Sequence, residues 1–166
     1  MKKLLLVILS VLALTAVAVL PAFAATTTTV TVTATPTYIA ITVSPTTYDF
    51  SVVAASGTPS TTAGYFTITN SSSVATTISI WAVNFTGGVG WTLNTTGAPG
   101  ADTAGLYAGI VSGSFPITVT VSPGAALKTS LAATTNQTWH LKLMAPTSFT
   151  DGVQKSTTVT LSSAAA

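Results

Sequence analysis

The chain has 166 residues, of which 48% are hydrophobic and only 5% charged, and it contains no cysteine. Five Lys, three Asp and one His stand without any Arg or Glu. That set excludes a disulfide framework, thiolate metal sites, forked contacts to phosphate or guanine, and most acid–base catalysis.

The N-terminus opens with Met1-Lys2-Lys3, then an almost unbroken apolar run from Leu4 to Leu20, then Pro21-Ala22-Phe23-Ala24-Ala25. A charged start, a short apolar core and a small-x-small site are the parts a signal peptidase reads. Residues 1–24 are therefore expected to be a secretory signal peptide, cleaved after Ala24. The other reading, an uncleaved anchor, meets a run that is short for a bilayer, so no membrane span is expected in the mature form. Lys2 and Lys3 leave with the leader. Lys128, Lys142 and Lys155 then balance Asp49, Asp102 and Asp151, and the basic pI belongs to the leader. Neither nucleic acid nor a charged membrane surface is an expected partner.

The mature chain, 25–166, is long enough to build one core without covalent staples. Val, Ile, Thr and aromatics recur with period two and are cut by Gly, Pro, Asn and Ser, so no helix is expected. Strands are predicted over 27–34, 38–43, 47–53, 65–70, 76–85, 90–94, 106–111, 115–121, 138–144 and 153–161. Turn chemistry such as Ser44-Pro45, Gly87-Gly88, Pro123-Gly124 and Asp151-Gly152 separates them, the last read as a hairpin turn. Many short strands at even spacing predict an antiparallel β-sandwich of about eight to ten strands.

Alternation assigns inward faces to Val30 and Val32; Ile39, Ile41 and Val43; Tyr48, Phe50 and Val52; Ile117, Val119 and Val121; and Trp139, Leu141 and Leu143. Between 76 and 85 the phase slips from Ile78 and Ile80 to Trp81, Val83 and Phe85, which predicts a bulge or a strand covered on both faces. The layout is a signal peptide at 1–24, an N-terminal strand and linker at 25–36, the sandwich at 37–162 and a tail at 163–166.

The segment Ala25-Thr26-Thr27-Thr28-Thr29-Val30-Thr31-Val32-Thr33-Ala34, closed by Thr35-Pro36, has no Lys, Pro or charge to blunt an edge. Val30, Val32 and Ala34 are its candidate assembly residues. The pattern alone leaves open whether they pair within the chain or with a second chain.

Elsewhere chemistry is thin. His140 is placed on a wet face beside Lys142, without a Gly-x-Ser-x-Gly elbow to suggest a triad. The three Asp are scattered singly, so no metal or cofactor is expected. A Lys–Asn amide staple could draw on Lys142 or Lys155 beside Asp49. All four asparagines, Asn70, Asn84, Asn94 and Asn136, stand in Asn-x-Ser/Thr context and are candidate glycosylation sites. The tryptophans offer either a sugar platform or core, and Trp91 and Trp139 share a strand face with Leu93 and Leu141.

The stretch Tyr65-Phe66-Thr67-Ile68-Thr69-Asn70-Ser71, then Ile78-Ser79-Ile80, resembles the opening of secreted bacterial and archaeal immunoglobulin-like surface domains. Val121-Ser122-Pro123-Gly124 and Thr157-Thr158-Val159-Thr160-Leu161 are similar to their closing half. The resemblance implies an immunoglobulin-like sandwich in a subunit of a biofilm-matrix fibre or donor-strand pilus. Separately, Trp91-Thr92-Leu93 and Thr138-Trp139-His140-Leu141 resemble the paired Trp-x-Leu motifs of a Gram-positive cell-wall-binding domain. That would give Trp91, Leu93, Trp139 and Leu141 a role in wall or polysaccharide contact. The expectation is a secreted, non-enzymatic protein that self-associates into a filament or coat; the alternative is a polysaccharide-binding surface module.

Overall fold

The structure is a computed structural model that describes residues 28–122 and 124–166. The expected signal peptide, residues 25–27 and Pro123 of the expected turn lie outside the described residues. The chain divides into two units, Met1–Thr35 and Pro36–Ala166.

In the first unit, described from residue 28, no strand forms, and Val30 and Val32 are 86% and 88% exposed. The strand expected at 27–34, with both valines facing inward, is thus not made by residues 28–34. A Thr/Val ribbon gains little from extension until a second strand takes up its ladder of N–H and C=O groups.

The second unit is all-β, with nine strands and no helix among the described residues. They are β1 (Ile41–Ser44), β2 (Phe66–Asn70), β3 (Thr76–Ala82), β4 (Thr92–Leu93), β5 (Thr103–Gly109), β6 (Ile117–Thr118), β7 (Ala125–Leu131), β8 (Asn136–Met144) and β9 (Val159–Ala165). One sheet runs β1-β2-β8-β5-β4, with β6 also on β5; the other runs β7-β3-β9. The pairing is antiparallel except that β4 lies parallel to β5, a departure from the purely antiparallel expectation.

Both sheets feed one hydrophobic cluster. β2 turns Phe66 and Ile68 inward, β3 Ile78, Ile80 and Ala82, and β8 Trp139, Leu141 and Leu143. Ile68, Ile78 and Ile80 are fully enclosed, which suits β-branched side chains on facing pleats. The loss of phase expected within 76–85 falls at the strand's end. β3 keeps strict alternation to Ala82, Val83 is exposed, and Phe85 returns to the core from the following loop.

β5 is buried on both faces, and its glycines show why. A Cβ on Gly105 would run into the backbone of Gly97, and one on Gly109 into the carbonyl of Ser114. Loops therefore lie directly on the outer face of β5, and only glycine leaves them room.

Several expected strands are shorter or missing. Residues 47–53 form none: Ser51 has φ 59°, which interrupts the pleat, and Val52 is 98% exposed rather than inward. Ile39, Tyr48 and Val121 are likewise exposed. The last strand starts at Val159 instead of 153 because residues 151–156 are bound into a loop contact instead. β7 was not expected, because its inward residues Leu127 and Leu131 are separated by two register shifts against β3 and by Ser130 at φ 50°.

Candidate functional site: an aromatic cavity beside two free strand edges

At the end of the second unit where β1 finishes and β9 begins lies a cavity of about 1020 Å³, half open to solvent. Its floor is aromatic and aliphatic: Phe66, Phe85, Trp91, Leu106, Trp139 and Phe149. Trp139 stacks on Phe66 with ring centroids 4.5 Å apart, and Trp91 stacks on Phe149 at 5.2 Å. Phe66 continues edge-to-face through Tyr65 to Tyr48 and Phe50, so an aromatic ladder runs from the floor to the partly exposed rim. Burying such rings contributes strongly to stability, but each indole also brings an N–H that needs an acceptor. The Nε1 atoms of Trp91 and Trp139 are buried and have no hydrogen-bond partner among the described residues.

The two walls are held differently. One, residues 151–157, is fastened to the loop after β3. Thr86 and Ser156 exchange backbone hydrogen bonds of 2.8 and 2.9 Å, and the Asp151 carboxylate accepts from Val89 N at 2.6 Å and from Val153 N at 3.0 Å. Lys155 donates to Asp151 and, at 2.6 Å, to the carbonyl of Gly87. The Lys155 ammonium, helped by the two backbone donors, holds the Asp151 carboxyl down to about 2. A neighbouring anchor works alike, since the hydroxyl and backbone N–H of Thr150 bond Asp102 and lower its pKa. Asp151-Gly152 is therefore a loop anchor and not the turn of a two-stranded hairpin. The other wall, residues 46–53, makes no backbone–backbone hydrogen bond among the described residues. Phe50 and Val53 hold it by packing against the core, and Asp49 caps only its own turn at Ser51 N.

Each sheet presents an open edge here. β1 pairs only with β2, and β9 only with β3, among the described residues.

Other candidate residues take up structural work. Asn70 is fully buried; its Nδ2 donates to the carbonyls of Leu131 (2.9 Å), Ala132 (3.0 Å) and Val74 (3.3 Å), and its Oδ1 accepts from Ser72 N. A glycan on that nitrogen would displace this network, so Asn70 leaves the set of glycan candidates. Asn84 and Asn136 are exposed and Asn94 is partly buried, with the oxygens of Asn84 and Asn94 accepting from Leu93 N and Thr96.

Trp91, Leu93, Trp139 and Leu141 are all buried, in keeping with the inward face assigned to Trp139 and Leu141 and with the core reading of the tryptophans. His140 is also buried instead of wet: the face of β8 opposite the core is covered by Phe115, and Nε2 lies 3.1 Å from the carbonyl oxygen of Ser114. Lys142 sits over the Phe115 ring and Lys155 is committed to Asp151, so neither meets Asp49 as an amide staple would need. Among the described residues no cluster of His, Asp or Glu could hold a metal ion.

The cavity was not visible in the sequence. Its nearest signal was the failed strand 47–53, whose Tyr48 and Phe50 belong to a rim and not to a ladder. Fold and site together define an all-β, two-sheet protein with an aromatic cavity at one end. No protein-family model, curated protein or solved structure matches the chain.

Proposed function

We propose that this chain is a secreted, non-enzymatic structural protein with an immunoglobulin-like sandwich, a subunit of an extracellular filament, matrix fibre or surface coat assembled by β-strand pairing. The observation that carries this reading is the segment at 28–34: uncharged, alternating, without a strand partner, and with Val30 and Val32 almost fully exposed. A soluble chain gains by covering such a ribbon, and the available chemistry is addition to an open sheet edge. The side-chain balance of 25–166 adds support, because a chain near zero net charge lacks the self-repulsion that keeps copies apart.

The tryptophans of the polysaccharide-binding alternative are buried, which favours the assembly reading over it. Negative-stain electron microscopy tests the proposal. The secreted protein is expected to form fibres or sheets, and the double variant Val30→Asp, Val32→Asp to remain monomeric with an unchanged melting temperature. Fibres from the double variant would sink the role given to this segment.

A further inference from the structure

The four Asn-x-Ser/Thr triplets have the same pattern in sequence, but the fold gives each a different conformation. Transfer of a sugar to such an asparagine asks three things of a folded acceptor. Its Nδ2 must be free of other bonds, it must reach solvent, and it must give up a proton although its lone pair is tied up in amide resonance. Hydrogen bonds onto the amide oxygen help with the last, because they draw charge onto that oxygen and make the N–H more acidic. The third residue of the triplet carries two donors for this, a backbone N–H and a hydroxyl.

Asn94-Thr95-Thr96 meets all three demands. The Asn94 Oδ1 accepts from Thr96 N and from Thr96 Oγ1, each at 2.7 Å. Its Nδ2 makes no hydrogen bond among the described residues and is not sealed from solvent. The conformation is also held in place. Gly97 N donates to the Asn94 carbonyl at 3.2 Å, closing a turn with Asn first and Gly fourth, and Asn94 N donates to the carbonyl of Ala104 at 2.9 Å. A Cβ on Gly97 would strike the Tyr107 hydroxyl, so the turn is seated closely on β5.

The other three triplets fail on different counts. Asn70 Oδ1 also accepts from the third residue, Ser72, but its Nδ2 is spent on three carbonyls in the core. At Asn84 the oxygen accepts from Leu93 N, while the N–H and hydroxyl of Thr86 both turn to Ser156. Asn136 is more exposed than Asn94 but opens β8, where residues two apart are separated by about 7 Å along the strand, too far for Thr138 to reach back.

We infer that Asn94 is the residue at which the folded chain accepts an N-linked sugar from a lipid pyrophosphate donor. In that step Nδ2 bonds the anomeric carbon and the bond from that carbon to the pyrophosphate oxygen breaks. The pyrophosphate leaves with the electron pair, and one Nδ2 proton passes to a carboxylate of the transferase. The inference rests on the export proposed above and is independent of assembly.

The test uses purified, folded, unmodified protein, a single-chain transferase specific for Asn-x-Ser/Thr and a lipid-pyrophosphate-linked oligosaccharide. Occupancy of each triplet is followed by peptide mass spectrometry. Asn94 is expected to react roughly tenfold faster than Asn84 or Asn136, about what one hydrogen bond contributes, and Asn70 not at all. Asn94→Gln should remove the main product. Short peptides spanning the Asn84, Asn94 and Asn136 triplets, all ending in Thr, should react at comparable rates. Faster reaction at Asn136 than at Asn94 in the folded protein would show that exposure alone decides and would overturn the assignment. So would a peptide preference as large as the protein's, or a folded chain that takes no sugar at any triplet. A full-length chain that stays in the cytoplasm of a secreting cell would overturn export, and the modification with it.

Discussion

Asn70 shows how a polar side chain comes to sit in an apolar core. It occupies the inward position at the end of β2, where the chain turns toward β3, and its amide collects the carbonyls of both the β2–β3 turn and the end of β7. Replacing it leaves buried carbonyls without donors, the costly side of hydrogen-bond energetics. Asn70→Ala is expected to lower unfolding stability by about 2–3 kcal/mol in a urea titration, against under about 1 kcal/mol for Asn94→Ala in its surface turn. An equal effect from the two would contradict the bridging role. Asp151 gives a pH signature. Its pKa is depressed chiefly by Lys155, to about 2, from an ordinary value of 3.8. The stability it contributes is present above the ordinary value and disappears as pH falls through about 2. The natural protein should lose stability between those limits, and Asp151→Asn should flatten that part of the profile. Identical acid profiles by thermal melts would remove Asp151 as an anchor.

The strands obey local rules where both faces have plain tasks and depart from them where loops intrude. β2 and β3 alternate strictly because each puts one face on the core. β5 does not, because loops around Gly97 and Ser114 cover its outer face and demand glycine at 105 and 109. Gly105→Ala therefore pushes a methyl group against backbone that cannot swing aside, and a loss of about 1–3 kcal/mol is expected. A melting temperature equal to that of the natural protein would show that the Gly97 loop yields freely. β7 carries the opposite lesson: two register shifts and a left-handed Ser130 let Leu127 and Leu131 reach the core although the sequence between them reads as polar.

Across the whole molecule, charge is the quantity most worth testing. The exposed segment is uncharged, and the only ion pair among the described residues is satisfied within the cavity wall. The proposed strand-paired assembly, which calls on no ion pair, should persist at high salt, whereas long-range charge attraction is screened within about 3 Å at 1 M. Light scattering is expected to rise equally in dilute buffer and in concentrated sodium chloride. Dissolution of preformed fibres by salt would point to ionic contacts instead.

The all-β class was legible because period-two alternation records which residues face a core, and β2, β3 and β8 carry it openly in Phe66–Ile68, Ile78–Ile80 and Trp139–Leu141–Leu143. The dual covering of β5 and β8, which buries His140, was not legible, because the covering loops come from distant sequence. Nor was the cavity: Tyr48 and Phe50 alternate like strand residues, and only their packing against Tyr65 and Phe66 turns them into a rim. Alternation is a local property and can be read from neighbours in the chain. Which edge stays open, which indole lacks an acceptor and which asparagine is enclosed depend on residues many positions away, and those relations exist only once the two sheets have closed over a common core.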